Sequence, residues 1–491
     1  MDRTESTAMT SRAGVVRFPV AALTFLAWIA AADAETLNYG VDAGLGETDN
    51  IGLAPKNGVS QTIAAVDVDF DVKHQSRRLD VDAKGDFSYL NYLQGAFDSQ
   101  VVGRFDGVAH VALIPQRLTW VFQDDFGQAA LDPFVPTTPA NLENVNYFTT
   151  GPDLHLRVGG TGFVDLGARY ARAQYATNPF NSNRYVGTVA AGLQLSARSS
   201  VSLNAAFERV LFENTVVNGD FDHTKAYARY EIEGARTSLS VELGATKITQ
   251  DASAGTSIIV LDPDGVPRTV TVTIPQNAYS TTGPLARIAL TRKLSTAASL
   301  TLSGGRELTD AGSSFGGIQG GAIGGVGAAP SFQTSSSYTS SFASVGWNYK
   351  RNRTSVGVSA RWDRDVYPAQ PQFDLRRGGV EFRVARKLSR ALTAQVIGRY
   401  GKSDYFNAAP ATLQGGSPKF DDALIGAAVV WRHGRALEVK LRAEHSSRNT
   451  TGADTGYREN RIFVMVGYRP KPEGLDDSLN LNESPAESPA E

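Results

Sequence analysis

From Glu35 onward the apolar residues recur at every second position, and helical spacing is almost absent. Val66, Val68, Phe70 and Val72 alternate with Asp67, Asp69 and Asp71. Leu79, Val81, Ala83, Gly85, Phe87 and Tyr89 alternate with Asp80, Asp82, Lys84, Asp86 and Ser88. The same holds for Val356, Val358, Ala360 and Trp362 against Arg361 and Asp363, and for Leu437, Val439, Leu441 and Ala443 against Lys440 and Arg442. A strand turns its side chains to opposite faces at each residue, so every such segment has one apolar face and one charged face.

About twenty segments of this kind follow one another, and many run to ten residues or more. Ordinary strands run to ~5–6 residues, whereas a tilted membrane-spanning strand needs ~9–11. Short connections at 74–77, 114–117, 159–162, 233–236, 350–353 and 432–435 alternate with long ones at 46–60, 127–145, 250–282, 308–335 and 405–421. The pattern predicts an all-β chain, a transmembrane antiparallel up-and-down β-barrel of about 20 strands (18–20), with short periplasmic turns and long extracellular loops. An even count puts both termini on the periplasmic side. Soluble sandwiches, β-helices and propellers share the alternation. They do not combine it with charged polar faces, loop lengths that alternate by side, and the absence of a fixed 20–50-residue repeat. Tyr89, Tyr92, Trp120, Phe122, Tyr170, Tyr349, Trp362, Tyr405 and Phe406 fall near segment ends, where interfacial girdles would use them.

The ends of the chain differ in kind. Arg12 and Arg17 precede an uncharged run from Phe18 to Ala32, and Ala32-Asp33-Ala34 fits a signal-peptidase site. The expected division is a signal peptide at 1–34, the barrel at 35–469 and a disordered acidic periplasmic tail at 470–491, ending in SPAESPAE. Ala311–Pro330 is Gly-rich and reads as flexible loop. Ser257–Leu261 and Val266–Ile274 flank Asp262-Pro263-Asp264-Gly265 and predict a hairpin outside the membrane.

Chemistry is scarce. Lys and Arg total 48 against 50 Asp and Glu, a net charge of −2, which argues against a nucleic-acid partner. Cysteine is absent, the six His show no paired metal-ligand spacing, and no phosphate-cradling loop occurs. No metal, cofactor or catalytic residue is assigned. One enzyme hypothesis rests on His445 and Ser447, two apart on one face as in outer-membrane lipid hydrolases, but Arg448-Asn449 stands where Asn-Gly would follow. The candidate functional residues are instead those expected to line the interior. They are Asp67, Asp69, Asp71, Asp80, Asp82, Lys84 and Asp86 from early strands, and Arg361, Asp363, Arg377, Glu381, Arg383, Arg399, Lys440 and Arg442 from later ones.

Three stretches carry a family resemblance: 46–51 (GETDNI), 118–128 (LTWVFQDDFGQ) and 144–154 (NVNYFTTGPDL). They resemble the outer-membrane barrel family associated with PEP-CTERM/exosortase and exopolysaccharide gene clusters. The resemblance implies a channel in the outer membrane of a Gram-negative bacterium that serves exopolysaccharide export or surface-polymer assembly. Its partners would be outer-membrane lipid, polysaccharide and periplasmic export components. The alternatives are a general small-solute porin, or a plugged barrel with a structural or surface-binding role.

Overall fold

The computed structural model describes residues 36–215, 218–253, 256–261, 267–272, 277–312, 336–407, 418–451 and 455–470. The signal segment 1–34, the Gly-rich stretch beyond 312 and the tail beyond 470 lie outside them. In chain order the strands are β1 (Thr36–Thr48), β2 (Gln61–Gln75), β3 (Leu79–Tyr92), β4 (Gln100–Ile114), β5 (Leu118–Ala130), β6 (Leu142–Val158), β7 (Gly162–Tyr175), β8 (Ser182–Ser196), β9 (Ser199–Phe212), β10 (Phe221–Glu233) and β11 (Thr237–Gln250). There follow β12 (Thr256–Leu261), β13 (Pro267–Val272), β14 (Tyr279–Lys293), β15 (Ala298–Asp310), β16 (Ser337–Arg351), β17 (Thr354–Val366), β18 (Leu375–Lys387), β19 (Leu392–Tyr405), β20 (Lys419–His433), β21 (Leu437–Thr451) and β22 (Tyr457–Tyr468).

All but β12 and β13 join one 20-stranded sheet, each antiparallel to its neighbours in the chain. The ring closes where β1 pairs β22, from Val41 opposite Tyr468 to Thr48 opposite Arg461. Closure leaves no unpaired strand edge, the condition for a sheet to stand in hydrocarbon. The barrel strands are 12 to 17 residues long. β12 and β13 form the separate hairpin expected from the sequence, Thr256 opposite Val272.

Register makes the two faces explicit. Val66, Val68 and Phe70 stand beside Tyr89, Phe87 and Gly85 on one face, while Asp67, Asp69 and Asp71 stand beside Ser88, Asp86 and Lys84 on the other. The apolar face points outward. Leu203, Leu243 and Ile425 on it are 70%, 61% and 57% exposed, as side chains meant for lipid would be. At the end with short turns this face carries a girdle. There Tyr39 lies 6.5 Å from Tyr468, Trp347 stacks 6.0 Å from Tyr349, and Trp120 lies 6.4 Å from Phe122. Tyr92 and Tyr405 do not join a girdle: both are buried inside the barrel, in separate apolar clusters.

The strands outrun the loop limits read from the sequence. The connection expected at 127–145 shrinks to 131–141, because β5 continues to Ala130 and β6 starts at Leu142. Above the hydrocarbon the outer face turns polar, with Gln128 opposite Asn144, and the inner face turns apolar, with Ala129 and Val145 in a buried cluster, so the alternation of the belt is lost while the backbone ladder persists.

Candidate functional site

The fifteen charged residues singled out above stand at inner-face register positions, and ion pairs gather eleven of them into two patches. On β17–β19, Arg361 Nη2 donates to Asp363 at 2.7 Å, Arg377 Nε to the same carboxylate at 3.4 Å, and Arg399 Nε to Glu381 at 2.7 Å, with Arg383 also on Glu381. The second patch spans the closing seam. Lys440 donates to Asp42 at 2.7 Å, and Arg442 to Glu444 at 2.5 Å. Asp69 is bound by Arg469, and Lys84 reaches Asp71 at 3.8 Å. Asp42 and Arg469 fit only because their neighbours lack side chains: a Cβ on Gly467 would lie 1.8 Å from Asp42 Oδ1, and one on Gly40 would lie 2.4 Å from Arg469 Nη2.

A third inner patch escaped the sequence reading. Arg229 and Arg287 share Glu242, and Arg287 and Lys225 share Glu307, across β10, β11, β14 and β15. Above it Arg184 of β8, 2% exposed, donates in a fork to Asp310 of β15 at 3.2 and 2.5 Å and to Glu208 at 3.1 Å. Its guanidinium lies 5.8 Å from the Tyr147 ring centroid and 5.9 Å from that of Phe221. The ladder between β14 and β15 stops at Arg306, so the end of β15 is free to lean into the barrel and meet β8 over the four strands between them. The signal was present in Lys225, Arg229, Glu242 and Glu307. Only the register shows that they meet.

The two ends of the interior differ. Near the short turns Asp80, Asp82, Lys84, Asn348 and Lys350 are exposed, a wet vestibule open to that side. Near the long loops Gln61, His223, Thr246, Gln250, Leu285 and Glu459 are 1 to 2% exposed. Apolar clusters fill the space between them, one around Tyr147, Tyr175, Phe212 and Ile248 and another around Ile51, Ile63, Tyr92 and Met465.

Loop 131–141 completes the closure. Asn141, fully buried, shapes it: its Oδ1 accepts from Asp132 N at 2.8 Å, and its Nδ2 donates to Asp132 O at 2.8 Å and Pro136 O at 3.2 Å. The Phe134 amide donates to Asp132 Oδ1 at 2.8 Å. The loop then carries the Phe134 ring to the far wall, where it stacks 5.9 Å from Phe373 and edge-on 4.8 Å from Tyr405. Loop 131–141 joins β5 to β6, while its contacts lie among β17–β20, about half the ring away. Burial holds the Asp132 carboxyl above the ordinary carboxylate value, opposed by the Phe134 N–H.

A closed antiparallel ring, an outer apolar belt and a charged inner face wet at one end leave one assignment. The protein is an outer-membrane β-barrel. No family model and no curated protein matches its sequence. Among solved structures, the FrpB iron transporter from Neisseria meningitidis is 11% identical, with TM-score 0.41 over 89% of this chain and 83% of that one. The siderophore receptor PirA from Pseudomonas aeruginosa is 11% identical, with TM-score 0.38 over 89% and 81%. The copper transporter OprC is 8% identical, with TM-score 0.41 over 89% and 82%.

The packing of the mouth corrects the expectation of an exopolysaccharide export channel. The barrel itself offers no wide wet path among its described residues, because the mouth is crossed by loop 131–141 and packed with aromatic side chains. Polysaccharide and export components therefore leave the set of partners, and outer-membrane lipid remains. The stretches behind the family resemblance do have structural roles. Residues 118–128 and 144–154 lie in the paired strands β5 and β6, and Asn50 ties the first loop through Ala54 O at 2.8 Å and Arg458 O at 3.0 Å. His445 faces outward and spends its Nδ1 on Asn460 Oδ1 at 2.8 Å rather than on Ser447.

Proposed function

We propose that the barrel is a small-solute channel held shut by its own third extracellular loop. The observation that carries this is the reach of Phe134 across the mouth to Phe373 and Tyr405. Below it lies a vestibule lined by ion pairs, a polar surface that suits small hydrophilic or charged solutes. The inner carboxylates and guanidiniums of the two patches set the local potential there. The seated loop and the aromatic side chains around it close the mouth to a bulky polymer, and release of that one loop would open the mouth to small solutes. A signal segment at 1–34 and a periplasmic tail at 470–491 belong to the same proposal.

The test is solute flux into proteoliposomes holding the full mature chain. Wild type should pass small sugars slowly, the double substitution Phe134→Ala with Phe373→Ala should pass them faster, and neither should pass a large dextran. Failure of both proteins to pass any solute would overturn the channel and leave a structural barrel.

A further inference from the structure

The outer face above the lipid belt carries a cationic site that the channel reading does not use. Arg364 on β17 and Arg376 on β18 are direct cross-strand partners on that face, close to the long-loop end. Like charges set opposite one another across a ladder repel and destabilise the pair. Inside the barrel the arginines solve this with carboxylates. Here neither guanidinium forms an ion pair with any described residue. Both lie instead over the Phe406 ring, at 5.6 and 4.4 Å from its centroid. Next to them Lys402 and Lys419 are matched by Asp421 and Asp404, at 3.6 and 3.7 Å, so the cluster keeps an excess of two positive charges.

The site has a second half. Immediately toward the membrane from the arginines a groove of about 430 Å³ opens over Gly378, walled by Trp362, Val380 and Tyr400. Trp362 and Tyr400 are 46% and 43% exposed, and Val380 is 52% exposed. Gly378 sits between Trp362 and Lys402 in the ladder, and with no side chain it forms the groove floor. Phe382 and Val358 continue the apolar slope into the belt.

We infer that this face binds a phosphorylated, acylated lipid of the outer leaflet, its phosphate on Arg364 and Arg376 and an acyl chain in the groove below. The guanidinium fork matches phosphate oxygens in two parallel hydrogen bonds, and two adjacent forks bring the charge that relieves their mutual repulsion. A soluble anion would use the arginines and gain nothing from Trp362, Val380 and Tyr400. A lipid uses both halves and approaches from the side on which they lie. The inference is independent of whether the pore conducts.

The experiment is lipid retention by native mass spectrometry of the full mature chain, with thermal unfolding in micelles as a second readout. The probes are diphosphorylated lipid A, its dephosphorylated form and inorganic phosphate. Wild type should retain diphosphorylated lipid A at least tenfold better than the dephosphorylated form, and inorganic phosphate should not compete at equimolar concentration. Arg364→Gln with Arg376→Gln should remove that preference, whereas Arg209→Gln, on the outer face but paired with Asp222 at 3.1 Å, should keep it. Equal retention of the two lipids by wild type overturns the inference even if the double variant does not fold. So does full retention by the double variant, and competition by inorganic phosphate at equimolar concentration would make the site one for free anions.

Discussion

Phe134→Ala is the perturbation that tests the closed mouth most directly. The ring makes two aromatic contacts across the barrel, with Phe373 at 5.9 Å and Tyr405 at 4.8 Å. Such pairs are each worth about 0.5–1.5 kcal/mol beyond area burial. Their loss removes about 1–3 kcal/mol from the seated loop relative to the released one. At 1.4 kcal/mol per factor of ten, the released population should rise roughly 5- to 150-fold. The hydrogen bonds of Asn141 and Asp132 lie within the loop and do not reach the far wall, so they survive the substitution and do not oppose release. The assay is single-channel recording in planar bilayers, with open probability as the readout. Heat-modifiable mobility checks that the variant barrel is folded, as expected for a substitution in a loop outside the strand ladder. An open probability unchanged in a folded variant would refute the assignment of loop 131–141 as the closure.

Four further outcomes follow from other parts of the structure. Burial raises the Asp132 carboxyl in the seated loop, so seating is favoured fully below the ordinary carboxylate value of 3.8 and loses that support as pH rises through the raised one; open probability should therefore fall on acidification, and Asp132→Asn should flatten the profile. Arg184→Leu strands Asp310 and Glu208, 4% and 12% exposed, and should cost about 3–5 kcal/mol in denaturant unfolding, with Asp310→Asn restoring part of it. Lys440→Glu sets a second carboxylate against buried Asp42 and should cost about 1–3 kcal/mol. Val439→Arg lies beside Trp431 of the girdle and should cost about 0–1 kcal/mol, whereas Leu441→Arg, deeper in the belt, should cost about 2–4.

The contrast between Lys440 and Val439 shows where a sequence stops. Parity alone places Lys440 on a polar face and Val439 on an apolar one, and it makes the lysine the more tolerant site. The seam reverses the ranking, because closure of β22 on β1 brings Asp42 within 2.7 Å of a residue 398 positions away. Asp124 and Asp125 make the same point within one motif. Asp125 faces the interior beside Gln123, while Asp124 faces outward, buried, accepting from Asn146 Nδ2 at 2.8 Å. Two adjacent carboxylates read as one acidic pair in sequence and stand in two different media in the fold.

What the sequence determined by itself was the ring of about twenty strands, their two faces, the side of each turn and the membrane they stand in. Those follow from a period of two sustained over strands of membrane-spanning length. Each strand answers separately to lipid on one side and water on the other, so the pattern is local and needs no partner to be read. Tertiary structure decided which charges meet, which end of the interior is filled and which loop closes it. The β17–β19 patch, the Arg184–Asp310 bridge and the reach of Phe134 depend on register, closure and a chain crossing half the ring. They join residues whose separation in sequence carries no periodic signal, because the ladder that brings them together is formed strand by strand and completed only when β1 finds β22.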